Sequence, residues 1–145
     1  MYKRQVKTYP WHYKNKYLLI GDAAHAIVPF YGQGMNAGFE DCFELDKLLS
    51  HFENDWNKVI PYFSETRKIN GDAIADLALH NFVEMRDSVT DALFLKRKKK
   101  IYELYEEKPD EWMPLYEMVT FSDLSYSEAL QKGKEQDRKL DELMG

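Results

Sequence analysis

The chain has 145 residues, 44% of them hydrophobic and 14% aromatic, which suits one domain or a piece of a larger protein and is too apolar for a disordered chain. A formal net charge of -5 speaks against nucleic acid as a partner, and no apolar run reaches the roughly 20 residues of a membrane helix. Cys42 is the single cysteine, so no internal disulfide can form. The polar N-terminus does not read as a secretory signal, and a cytoplasmic location is expected.

Signals are weak over residues 1–11, where Thr8, Tyr9, Pro10 and Trp11 read as a loop or edge segment. Tyr17 to Ile20 is a short apolar run ended by Gly21 and Asp22, which predicts a buried strand. Helical spacing begins near Gly34 or Met35, with Phe39, Cys42, Phe43, Leu45, Leu48, Leu49 and Phe52 on one apolar face. Cys42 is accordingly expected in the core. Asn54 and Asp55 predict a turn and N-cap for a helix at Trp56 to Phe63, with a bend or restart at Pro61. Ser64 is expected to cap a further helix to about Arg86, interrupted in propensity at Gly71.

Asp87 and Ser88 punctuate, and another helix is expected from about Thr90 to Glu106. Its basic run, Lys96 to Lys100, is followed by Glu103, Glu106 and Glu107 at helical spacing, which reads as a solvated face of ion pairs. Tyr116 to Phe121 is expected to be a short extended segment. Ser125 or Ser127 caps a last, highly charged helix from Glu128 to Met144. The expectation is much helix, little strand and no repeat. A lone buried strand leaves backbone groups without partners, which points to neighbours elsewhere, most simply in a preceding part of a longer protein.

The stretch from Leu18 to Cys42, LLIGDAAHAIVPFYGQGMNAGFEDC, carries the chemistry. Gly-Asp at a strand end places a carboxylate where ligands of α/β folds bind, and it suits a sugar-like hydroxyl. Ala23 and Ala24 permit close approach, Pro29 fixes a turn, and Gly32 and Gly34 tolerate backbone angles and contacts that a side chain forbids. The free N–H groups and dipole at the start of the following helix favour negative charge. The whole suits a flat, electron-accepting ring that becomes anionic on reduction. Gly32, Gly34 and Gly38 spell a pattern one residue too long for a dinucleotide loop, and they do not sit directly at the strand end. His25 lacks ligand partners at metal spacing and reads as a packing or hydrogen-bonding histidine, and no metal site is expected.

The string G-D-A-A-H followed by P-x-x-G-Q-G-x-N closely resembles the second flavin motif of the FAD-dependent aromatic hydroxylases. Within that family the wording is most similar to members that hydroxylate L-kynurenine. YFSETRKINGDAIADLALHNFVEMRD and PLYEMVTFS are similar to the same members. The resemblance runs from about Thr8 to Met144 and matches the C-terminal part of a much longer protein. It implies a parent of α/β class with an FAD/NAD(P)-binding, Rossmann-like hydroxylase fold, of which this chain is a mainly α-helical portion with one or a few strands. Residues 1–53 would end the FAD-binding domain, and residues 54–145 would form a helical region closing the substrate site.

The resemblance implies FAD as cofactor and NADPH as co-substrate, acting through a flavin C4a-hydroperoxide. It gives Gly21, Asp22, Pro29, Gly32, Gln33, Gly34, Met35 and Asn36 to the cofactor, with Asp22 on the ribityl chain. It gives Phe30, Tyr31, Asn81 and Tyr116 to the substrate. No side chain is singled out as an acid or base, since the flavin carries the oxygen transfer. The family's G-x-G-x-x-G strand–turn–helix, its middle FAD and NADPH motif, and the expected substrate-binding arginine and tyrosine are absent from these residues. The implied partner is therefore the remaining N-terminal part of the same enzyme, and the chain by itself is expected to be inactive. Two other readings remain: a hydroxylase of the same family acting on another aromatic acid, and a non-catalytic helical module that binds a partner.

Overall fold

A computed structural model describes residues 5–88 and 91–145. The expectations that fall on Met1 to Arg4 and on a helix start at Thr90 lie outside the described residues. Among the described residues two short strands and six α-helices follow in order, and by contacts the chain forms two compact units, Met1–Leu79 and His80–Gly145. The sequence-based division at residue 53 is one of role, which these units do not address.

In the first unit β1 (His12–Tyr13) pairs antiparallel with β2 (Tyr17–Leu18), His12 opposite Leu18 and Tyr13 opposite Tyr17. The connection takes Lys14 and Asn15 through positive φ, the turn that matches the right-handed twist of a hairpin. The amide of Leu19 donates to the Trp11 carbonyl at 2.7 Å and extends the ladder. This corrects the expectation of a lone buried strand. The run has a partner in the preceding segment, and Tyr17, Leu19 and Ile20 are exposed. An apolar run predicts full burial only when layers cover both faces, and here only the Leu18 side packs on the core.

After Gly21 comes the single turn α1 (Asp22–His25) and a loop, then α2 (Gly34–His51), which starts where the sequence places it. The face it buries overlaps the expected one only at its C-terminal half. Ala37 and Asp41 are buried, with Leu45 and Leu48 half-buried beside them. Phe39, Cys42 and Phe43 lie on the other side and are exposed, so Cys42 is not a core residue. Counting apolar side chains selects the wrong face because a charged residue, Asp41, holds the centre of the right one.

One uninterrupted helix, α3 (Trp56–Val83), replaces the two that Pro61 and Ser64 suggest. Asp55 accepts from the Asn57 amide at 3.1 Å at its start. Proline removes one backbone bond, but Ile60, Phe63 and Ser64 around it are buried and hold the helix through the gap. Ser64 is no cap; its hydroxyl accepts the Trp11 amide at 3.0 Å.

Trp11, Ala24 and Phe63 form the centre of this core, with Leu18, Leu45 and Leu48 against it. Trp11 Nε1 donates to the Thr8 carbonyl at 2.8 Å, and the Thr8 hydroxyl donates to the Ala24 carbonyl at 3.0 Å. Its ring lies on α3 at Gly71, where an added Cβ would stand 2.8 Å from Trp11 Cη2 and 3.3 Å from His25 Cβ. The glycine that weakens the helix in the sequence is the seat of the largest core side chain.

In the second unit α3 ends in a π-helical turn, Glu84–Ser88, and α4 (Ala92–Glu107) starts from an Asp91 cap that accepts the Leu93 amide at 2.8 Å. Lys99 and Lys100 pair with Glu103 within α4, as the spacing predicts. Arg97 reaches Asp137 and Asp141, and Lys98 reaches Glu84. Residues 116–121 are helical, in α5 (Leu115–Phe121), which corrects the extended reading. Pro114 stands at its N-cap, and the helix buries the neighbours Met118 and Val119, which a strand would turn to opposite faces. α6 (Tyr126–Met144) begins at Ser125 with a capping box to Glu128, which decides between the two candidate serines. Gly133 of α6 receives Leu115 of α5, and Tyr126, Ala129 and Leu140 face inward. No helix among the described residues is long and apolar enough to cross a membrane.

Gly71→Ala tests the seat of Trp11. On an open helix face this change would stabilise by about 1 kcal/mol. Here overpacking against the Trp11 ring and the His25 Cβ outweighs that gain, and a net loss of about 1–2 kcal/mol is expected in urea unfolding. A stabilised variant would contradict the packing.

Candidate functional site

Of the residues singled out in the sequence, Asp22, Pro29, Gly32, Gly34 and Met35 line one open cleft of ≈ 560 Å³, together with Ile27 and Gly38. That volume is in the range of small-molecule and cofactor sites. Asp22 opens α1 and is exposed; among the described residues no hydrogen bond or ion pair engages its carboxylate. Opposite it, the first turn of α2 contains no acidic side chain and its N-cap makes no side-chain bond. The first amide of this helix start to find a backbone acceptor is that of Ala37, which donates to the Gln33 carbonyl at 2.9 Å. The amides of Gly34, Met35 and Asn36 precede it at the positive end of the helix dipole.

The loop between the two helices is tied to itself. Gly32, at φ 70°, donates to the Pro29 carbonyl at 3.3 Å, which closes a turn that favours glycine. Asn36 Nδ2 donates to Gln33 Oε1 at 2.8 Å, and Gln33 is buried, so these two side chains brace the loop from behind. Gly34 is different. A Cβ there would meet only Ile27 at an ordinary 3.6 Å, so no neighbour within the chain requires glycine. Its bare face is turned to the cleft. Tyr31 is buried and Phe30 half-buried in the same loop. Asn81, in the last turn of α3, is half-buried. Tyr116, in α5, is about half exposed, its ring edge-on to Phe121 at 6.2 Å. Both belong to the second unit.

Behind the cleft lies a charged network whose central members the sequence reading missed. Asp41 has no exposed surface, and His25 and Arg67 are 3% and 6% exposed. Asp41 Oδ2 takes the Gly21 amide at 2.7 Å and stands 2.7 Å from His25 Nε2. Its Oδ1 accepts from Arg67 Nε at 3.0 Å and pairs with Nη2 at 2.9 Å. Arg67 also reaches the Ala37 carbonyl and Glu40, each at 3.4 Å. His25 is thus a hydrogen-bonding histidine, with its ring 5.1 Å from that of Trp11. The only trace of the network in the sequence is a charge at 41 in step with Ala37, Leu45 and Leu48. Its partners are 16 and 26 residues away.

A family model described as an FAD binding domain matches residues 3–74. The chain is 51% identical over 139 residues to a kynurenine 3-monooxygenase of Christiangramia forsetii, covering 96% of this chain and 31% of that protein. It is 54% identical over 128 residues to that of Cytophaga hutchinsonii, covering 88% and 28%. To that of Anopheles gambiae it is 47% identical over 139 residues, covering 96% and 29%. Over most of its length the chain is thus similar to kynurenine 3-monooxygenases, and its first half matches an FAD binding domain. It spans under a third of the length of these relatives.

The donor set fits a flavin ring. A free carboxylate suits a ribityl hydroxyl, uncapped amides suit the electron-rich pyrimidine end, and a glycine without internal cause suits close approach of a plane. The adenine and pyrophosphate have no G-x-G-x-x-G loop within these residues.

The network has a pH signature. Burial opposes ionisation of Asp41, but the His25 bond, the Gly21 amide and the proximity of His25 and Arg67 outweigh it and hold the carboxyl below its ordinary value of 3.8. A depressed folded value means that the ionised form contributes stability fully above the ordinary value, lost as pH falls through the folded one. Urea midpoints of the parent protein and Asp41→Asn should differ by a constant amount near neutrality and converge in acid. A gap that widens on acidification would contradict the assignment.

Proposed function

We propose that this chain forms the flavin-ring end of an FAD- and NADPH-dependent monooxygenase that hydroxylates L-kynurenine to 3-hydroxykynurenine. The observation that carries the reading is the cleft in which the exposed Asp22 carboxylate faces the uncapped start of α2 across a glycine-bearing loop. Bound FAD supplies the redox chemistry and the activation of oxygen, with NADPH as its reductant. The identity with kynurenine 3-monooxygenases supports the choice of substrate.

The chain's own residues bind and orient. Asp22, with Gly21 before it, accepts from a ribityl hydroxyl. The amides of Gly34, Met35 and Asn36 stabilise negative charge on the pyrimidine end of the ring, aided by the helix dipole. Gly32 and Gly34 keep side chains away from the plane, while Gln33 and Asn36 hold the loop in shape. Pro29, Phe30 and Tyr31 form the wall between ring and substrate and exclude water. Asn81 and Tyr116 hold the amino-acid end of kynurenine. No side chain of this chain is required as a general acid or base.

Asp22→Ala in the protein as encoded should weaken FAD about tenfold, the worth of one hydrogen bond to a charged group. The check is the flavin-to-protein absorbance ratio after purification, together with FAD titration; an unchanged ratio and affinity remove Asp22 from the site. Asn81→Ala and Tyr116→Phe should raise the KM for kynurenine while FAD affinity stays constant, as read by kynurenine-dependent NADPH oxidation. Parent-like kinetics in both would make these residues structural. Turnover of another aromatic acid in place of kynurenine would identify a different hydroxylase of the family.

A further inference from the structure

We infer that Asp41 is a positioning residue of the cleft: through the amide of Gly21 its buried carboxylate sets the corner at which β2 turns into α1, and with it the direction of Asp22. One carboxylate touches both ends of α1. Oδ2 takes the Gly21 amide just before the helix and stands 2.7 Å from His25 Nε2 at its last residue. A helix of one turn has too few internal bonds to hold itself, so its direction comes from outside.

The corner is strained for any residue with a side chain. Gly21 has φ 57° and ψ -141°, a combination essentially restricted to glycine; glycine reaches it freely but also reaches many others, so an acceptor outside the corner selects it. Arg67 fixes the other oxygen of Asp41 from α3 through Nε and Nη2, so the carboxylate cannot turn away from the amide. A buried ion pair kept for stability alone is replaceable by apolar packing; an acceptor for the Gly21 amide is not. Glu40 bonds to Arg67 without touching Asp41 and serves as a control.

The inference rests on the proposed flavin site only in giving the corner its purpose, and the experiment separates the two. Amide NMR of the full protein without flavin should show the Gly21 proton at low field and protected from exchange. In Asp41→Asn it should lose that shift and exchange about tenfold faster or more, while Glu40→Gln leaves it unchanged. Should Asp41→Asn fail to fold, Arg67→Lys is read instead. It keeps the carboxylate and a cation but removes the Nε donor, and it should move the same amide in the same direction. An unchanged Gly21 amide in the variant that folds overturns the inference, with flavin or without it.

FAD titration of the same proteins supplies the second readout. Asp41→Asn should bind FAD about tenfold more weakly than the parent and Glu40→Gln within twofold of it; equal affinity of Asp41→Asn and parent overturns the link between corner and Asp22. If the parent binds no FAD, the proposed function fails, and the Gly21 amide still decides whether Asp41 sets the corner.

Discussion

Asp41 is a carboxylate with no exposed surface, and the arrangement around the cleft follows from satisfying it. A buried charge requires both pairing and hydrogen bonds. Here they come from three places in the chain: the backbone at the end of β2, the ring of His25 on α1, and the guanidinium of Arg67 on α3. Each donor fixes one element against α2, which carries Asp41. Replacing such a network with apolar side chains often leaves stability unchanged or improves it. What it provides is geometry, since hydrogen bonds have preferred distances and angles and apolar contacts do not. The corner at Gly21, next to Asp22, and the start of α2 are the two ends of that geometry, and Asp22, Gly34 and Met35 line the cleft.

Beside the network sits Trp11, the second constraint on the first unit. Its ring lies where α3 has no side chain, its amide is taken by the Ser64 hydroxyl, and its indole N–H by the Thr8 carbonyl. One residue before the hairpin is thereby locked to the middle of a long helix more than fifty positions later. The hairpin is short and exposed, and a two-stranded ribbon is marginal by itself; Trp11 joins it to the core. The polar network and the aromatic core meet where His25 stacks near Trp11, so the site and the fold of this unit share a wall.

The cleft was legible in the sequence because its chemistry is local. Asp22, Pro29, Gly32, Gly34 and Met35 lie within fourteen consecutive residues, and the strand-to-helix pattern places them around one concavity. The network behind it was not legible, because a charge at position 41 among apolar neighbours resembles a solvated residue until its distant partners are known. For the same reason the apolar face of α2 was misassigned at Phe39, Cys42 and Phe43, though not at Leu45 and Leu48. Phe39 and Phe43 outweigh Ala37 and Asp41 in any count of hydrophobicity, yet the structure exposes the phenylalanines and buries the aspartate. Pro61 and Ser64 misled in a related way. Each is a sound local signal for a helix boundary, and each is overridden by burial of the helix face on which it sits.

The sequence by itself determined the helical character of the chain, the start of α2 and the stretch that lines the cleft, and it narrowed the cap of α6 to Ser125 or Ser127. All of these depend on residues within one or two turns of each other, where propensity and hydrogen-bonding chemistry act directly. Tertiary structure alone decided which face of α2 is buried, that α3 runs unbroken through Pro61, and that Gly71 is a seat for Trp11. It also decided that Asp41 gathers Gly21, His25 and Arg67. Those outcomes depend on contacts between residues 16 to 60 positions apart. Their free energy comes from desolvation and close packing, which exist only after the elements have met.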